Sequence, residues 1–221
     1  MEILHQNEDF AVCVKPVGVD SQQGMCALLQ DRLGGQFYPL HRLDQNVGGV
    51  MVYARSQKVA AHLSGVIARQ EMVKEYVARV WGTPPEKATW EDYLFKDSSK
   101  NKVFVVKKLR KGVKSAKLSF VRLTGGEESL VHIRLYTGRS HQIRVQFASR
   151  GFPLLGDGKY GREKDNRQYG RSYQALYSYK LRFEFTTDAG CLSGLNGREW
   201  TVQDVDFVKE YFPDFSMSDP G

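Results

Sequence analysis

Residues 175–185, ALYSYKLRFEF, alternate without a break. Ala175, Tyr177, Tyr179, Leu181, Phe183 and Phe185 fall on one side of an extended chain, and Leu176, Ser178, Lys180, Arg182 and Glu184 on the other. A period of two is what a strand with one packed face requires, and a helix would scatter both classes around its circumference. Shorter runs predict further strands at 2–5, 10–14, 38–40, 49–53, 72–81, 117–123 and 130–136, separated by turn signals such as Lys15-Pro16-Val17-Gly18. Helical spacing predicts one helix over 25–33, ended by Gly34-Gly35, and another from a Ser56 cap to about Arg69. A third starts from a Ser140 cap and stops at Gly151, and a fourth covers 204–211. Strands dominate and no regular helical crossovers join them, so the fold class reads as α+β with a mostly antiparallel sheet. No repeat or linker divides the sequence, and 1–221 reads as a single domain.

Composition matters mainly through charge. Hydrophobic residues make up 41% and charged residues 26%, ordinary for a globular chain. The longest apolar stretch, 47–54, is too short to span a bilayer, and the N-terminus has no signal-peptide pattern. Cys13, Cys26 and Cys191 form no paired framework, which fits a reducing cytoplasm. The net charge of +7 is concentrated. Between Lys96 and Lys117 nine basic residues face one acid, Asp97, so this segment carries +8 and the remainder −1. Lys100, Lys102, Lys107, Lys108, Arg110, Lys111 and Lys114 are therefore candidates for contacts to the phosphates of a polyanionic partner, while a merely solvated face is the competing reading.

Phosphate-binding, dinucleotide, zinc-protease, calcium-loop and zinc-deaminase motifs are all absent, so neither a nucleotide cofactor nor a metal is expected. Two dense polar loops remain: His41-Arg42-Leu43-Asp44, and Thr137-Gly138-Arg139-Ser140-His141-Gln142-Ile143-Arg144. Between them lies Lys74-Glu75-Tyr76, and after them Gly151-Phe152-Pro153-Leu154-Leu155-Gly156-Asp157. This ordered set, with the Lys-Pro turn of the opening segment, resembles the RluA-type family of RNA pseudouridine synthases. The similarity runs from the first strand to about Phe185.

The resemblance implies a pseudouridine synthase catalytic fold with a bent central sheet flanked by helices and loops, and no N-terminal S4-type module. It implies isomerisation of uridine in tRNA or ribosomal RNA, with Asp44 as nucleophile or base and no cofactor. Arg144 would keep Asp44 ionised beside the base, Tyr76 would stack on the uracil, and Leu176 would line its pocket. His41 and Arg42 flank Asp44 and would meet the phosphates or the vacated stack, with Arg139 and His141 contributing from the second loop. His41 could equally brace its loop, and Asp157 and Tyr160 are expected to fix the turn after the helix. The sequence departs from the family pattern at Val47-Gly48-Gly49, where Thr-Ser-Gly is usual, at Gln146, where His is common, and at Leu176-Tyr177-Ser178, where Leu-His-Ala is common. Partners would be structured RNA and no membrane, with the protein a monomer. Two other classes fit parts of the pattern. One is an RNA-binding protein without catalysis; the other is a hydrolase or lyase using a carboxylate nucleophile on a small substrate.

Overall fold

The computed structural model describes residues 1–161, 166–167, 173–186 and 189–215. The side chain of Cys191 lies outside the described residues. The chain forms two compact units, Met1–Lys74 with Ser178–Val202, and Glu75–Tyr177 with the C-terminal segment.

In the first unit, strands β1 (Glu2–Gln6), β2 (Phe10–Lys15), β4 (Gly48–Ala54) and β10 (Leu176–Phe183) follow one another in the order β1-β2-β4-β10. The short strands β3 (Tyr38–Pro39) and β11 (Glu199–Thr201) pair with β4 and β10. The β1–β2, β2–β4 and β10–β11 pairings are antiparallel, with Val12 opposite Val52 and Lys15 opposite Gly49. Every residue of β4 is buried. Helix α1 (Gln23–Leu33) precedes β3, and helix α2 (Gln57–Ala68) follows β4. Ser56 caps α2 as expected, its Oγ accepting the Val59 N–H at 3.2 Å. Val59, Leu63 and Val66 of α2 pack with Val12, Val50, Val52, Leu181 and Phe183 to form the core.

The second unit holds β6 (Lys87–Asp97), β7 (Lys102–Val106), β8 (Val113–Arg122) and β9 (Glu128–Leu135), in the order β9-β8-β6-β7, with β5 (Met72–Trp81) beside β9. One face of this sheet is covered by α3 (Gln142–Ala148). Trp90, Phe120 and Phe147 close a ring cluster with centroids 4.5 to 5.1 Å apart, and Val145 packs on Leu94, Val103 and Ala116. A last helix, α4, spans Asp206–Tyr211. Among the described residues no helix is long and apolar enough to cross a membrane.

The α+β class and the antiparallel pairing match expectation, with three corrections. β6 and β7 were not read as strands from the sequence. Asp92 interrupts the inward row Ala88, Trp90, Leu94, and only contacts with Gln146 Nε2 (2.7 Å) and the Arg150 guanidinium (2.8 Å) make it tolerable there. Ser140 does not cap α3. The residue at that position is His141, in the left-handed region at φ 51°, with no side-chain cap bond. The strict alternation of 175–185 also fails at one end, because Leu176 and Ser178, on the supposed polar side, are both buried.

Candidate active site

The HRLD loop leaves β3 and enters β4, and its backbone is tied down at successive residues. Ser21 Oγ donates to the Leu43 carbonyl at 2.9 Å. The Val47 N–H donates to the Asp44 carbonyl at 2.9 Å. The Gln45 carbonyl accepts both the Gly18 N–H and the Lys15 ammonium, each at 2.9 Å. Lys15 is completely buried and also donates to the carbonyls of Pro16 and Val19. Burial pushes its ammonium down to about 8, against the pull of the Asp20 and Asp44 carboxylates. With its neighbours Leu43 and Val47 buried, Asp44 keeps a half-buried side chain on an immobilised backbone.

The departure from Thr-Ser-Gly preserves packing but not hydroxyls. Val47 fills a buried place of Thr-like shape, 2% exposed. Gly49 is obligatory: its φ is +133°, and a Cβ there would collide with the carbonyl oxygen of Ser178.

His41 braces the loop. Its Nε2 lies 3.2 Å from the Val52 N–H. Since a backbone N–H only donates, the ring must be the acceptor, which leaves its proton on Nδ1. Burial, and then the Lys74 ammonium, push His41 down to about 3, which agrees with a neutral acceptor ring. Nδ1 is buried without a hydrogen-bond partner among the described residues. Arg42 is exposed. Lys74 is buried, which pushes it down to about 8.

In the second unit, Tyr76 of β5 and Leu176 of β10 are both buried. All of α3 from Gln142 to Phe147 is buried, and Arg144 is among these residues. Its Nε and Nη2 form a two-pronged pair with Asp157, at 2.7 and 2.8 Å. Asp157 Oδ1 also accepts the backbone N–H groups of Lys159 and Tyr160. Burial alone would raise the Asp157 carboxyl; Arg144 and these N–H groups outweigh it and hold the carboxyl below its ordinary value. Asp157 therefore does fix the turn, as expected, and it also anchors Arg144.

Tyr160 is similarly shared. Its hydroxyl accepts the Val103 N–H at 2.8 Å and lies 2.9 Å from His141 Nδ1, while the Arg144 guanidinium stands over its ring at 5.3 Å. The entry to α3 is organised by Gln142. Its Oε1 accepts from Thr137 Oγ1 and the Arg139 N–H, and its Nε2 donates to the Lys117 carbonyl. Arg139 Nε donates to the Ser115 carbonyl at 2.8 Å.

The basic segment occupies the β6–β7 turn (Lys100), the start of β7 (Lys102), the β7–β8 loop (Lys107, Lys108, Arg110, Lys111) and β8 (Lys114). Lys107, Lys108, Lys111 and Lys114 are exposed and have no acidic partner among the described residues. Lys100 lies 3.9 Å from Asp97 in an exposed pair, an attraction of little strength.

Lys15, Gln142 and the Asp157–Arg144 pair are the contributors that sequence reasoning did not assign. Lys15 was visible only as half of a turn, and Asp157 only as the end of a Gly-Asp motif. Among the described residues no group of three His, Cys, Asp or Glu side chains is placed to hold a metal.

A model of the RNA pseudouridylate synthase family matches residues 9–149. The chain is 29% identical over 210 residues to tRNA pseudouridine synthase C of Vibrio vulnificus, with 83% of this chain and 84% of that protein covered. It is 32% identical over 167 residues to the dual-specificity RNA pseudouridine synthase RluA of Salmonella typhi, covering 72% and 76%. The solved structure of human RNA pseudouridylate synthase domain containing 1 is similar in fold, with a TM-score of 0.77 over 97% of this chain and 87% of that one, at 22% identity.

Proposed function

The chain belongs to the RNA pseudouridylate synthase family, and on that footing we propose that it isomerises specific uridines of tRNA or ribosomal RNA through Asp44, without a cofactor. The isomerase class follows from the family; the residue roles and the RNA substrate are our reading. The observation that carries it is the treatment of Asp44. The neighbouring backbone groups are pinned, by Ser21, Lys15 and Gly18, and the Asp44 side chain between them is half-buried. A reacting group needs such fixed geometry without being sealed from its substrate.

In the reaction the N1–C1′ bond of uridine breaks, the uracil turns, and C5 bonds to C1′. The proton on C5 is lost and N1 gains one, so no atoms or electrons are left over and no redox partner is required. A carboxylate serves as nucleophile at the sugar carbon or as a base, and both roles need it ionised. Arg144 supplies a positive charge already oriented by Asp157, Tyr76 supplies a ring for the base, and Leu176 supplies an apolar wall. Arg42, Arg139 and His141 are assigned to substrate contact around them. His41 acts by bracing, since its Nε2 is committed to β4. The exposed cations of the β7–β8 loop are assigned to RNA backbone. The homologues named for tRNA and for RNA of dual specificity support this class of substrate. Two free thiols, Cys13 and Cys26, agree with a cytoplasmic site of action.

The test is release of tritium from RNA labelled at uridine C5. Wild type is expected to release it, and Asp44→Ala to fall to background while still binding RNA. Equal release by both proteins would remove Asp44 from the reaction.

A further inference from the structure

We propose that the face of the β9-β8-β6-β7 sheet turned away from α3 is a stacking platform for single-stranded RNA. The register defines that face. Tyr93 lies opposite Val106 and Ser115, Phe95 opposite Phe104 and Val113, and Glu91 opposite Lys117, so these side chains emerge on one side. The other side carries Trp90, Leu94, Ala116 and Phe120, and α3 covers it with Val145 and Phe147. His132, opposite Val121 on the platform side, meets Glu75 at 3.2 Å. Glu75 therefore shares the platform side, and its neighbour Tyr76 points the opposite way, toward the side that holds α3 and Arg144. The surface is thus distinct from the residues assigned to the reaction.

An outward sheet face normally reads as polar. This one carries rings: Tyr93 is 39% and Phe104 37% exposed, with Phe95 half-buried between β7 and β8. A cation stands on one of them, and others border the sheet. The Arg110 guanidinium lies 5.5 Å over the Phe95 ring, so the Lys107–Lys111 loop folds toward this face. At the far edge, Lys117 and Arg134 approach the Tyr136 ring at 5.7 and 5.4 Å. Rings that accept any base by its π face, bordered by cations for the phosphates, are the chemistry of sequence-tolerant single-strand binding. A duplex hides its base faces and meets only the cations, and a neutral protein partner has no use for them.

The inference takes the polymer from the proposed function but does not depend on which uridine is modified. The experiment measures binding of a short fluorescent single-stranded RNA of mixed sequence to the full chain, with a blunt RNA duplex of equal length in parallel. Wild type is expected to prefer the single strand. The double variant Tyr93→Ala, Phe104→Ala is expected to weaken single-strand binding by about tenfold or more. Tyr93→Phe with Phe104→Tyr keeps both rings and is expected to retain affinity. Circular dichroism confirms that each variant is folded. An unchanged affinity in the alanine variant overturns the platform, as does equal preference for duplex. So does a change in sedimentation from dimer to monomer with RNA affinity intact, which would make the face a contact between copies. Asp44→Ala separates the two readings. If no protein releases tritium but the alanine variant still loses single-strand binding, the platform stands and the reaction assignment falls.

Discussion

His41 shows how one contact weighs between two roles that its neighbourhood leaves open. Next to Arg42 and Asp44 it reads as a substrate ligand or equally as a brace for its loop; its Nε2 accepts from Val52 and its ring is held neutral, which favours the brace. The unfolded chain takes up a proton near pH 6.5, whereas the native ring refuses it until about 3. Between those values the unfolded state binds more protons, so stability falls as pH falls, by at most ~1.4 kcal/mol per pH unit for this group. His5 is lowered in the same direction, so the informative quantity is a difference. Urea denaturation of wild type and His41→Gln from pH 7 to pH 4 is expected to show a shallower acid loss in the variant. Parallel curves would mean that His41 is protonated normally in the fold. Lys15 makes a related point. Its position in a turn was legible, but its reach to the Gln45 carbonyl, 30 residues along the chain, was not.

At the scale of elements, α3 is fastened by side chains rather than by its own length. It has seven residues, too few for a helix to persist alone, and every position from Gln142 to Phe147 is buried. Arg144 and Asp157 are the charged part of that fastening, 9% and 0% exposed. Asp157→Ala takes the two-pronged carboxylate away from a buried guanidinium and is expected to cost about 3 kcal/mol in urea denaturation. Removing both members takes away the pair as a unit, so the double variant Arg144→Ala, Asp157→Ala is expected to cost clearly less than the two singles added together. Strict additivity would mean that the pair is not coupled. The helix itself was readable from its apolar spacing. Its start was not, because Gln142 and a left-handed His141 replace the Ser140 cap, and neither leaves a local signature. Strand β6 escaped for a parallel reason: Asp92 breaks the apolar row, and its partners are Gln146 of α3 and Arg150 just after it.

At the scale of the molecule, the +7 charge resolves into one region of the second unit, on and between β6, β7 and β8. Reversing Lys107, Lys108 and Lys111 to Glu removes three cations that have no acidic partner among the described residues, and is expected to weaken RNA binding. It should also flatten the logarithmic salt dependence by about 2 to 3. A slope equal to that of wild type would return the loop to an ordinary solvated face. Much here was legible in one dimension: the strand-rich class, the polar loop that presents Asp44, the ordered motifs and the segment that carries the charge. These depend on neighbours in the chain, whose spacing is set by the period of the backbone. Packing alone decided that Asp157 anchors Arg144, that the His41 ring accepts from Val52, that Leu176 is buried, and that Tyr93 and Phe104 stay exposed. Alternation divides a strand into two faces but cannot say which will be covered, and a charge in sequence does not reveal which distant carboxylate will meet it. Register and helix placement settle both, because they bring together groups that the chain order keeps far apart.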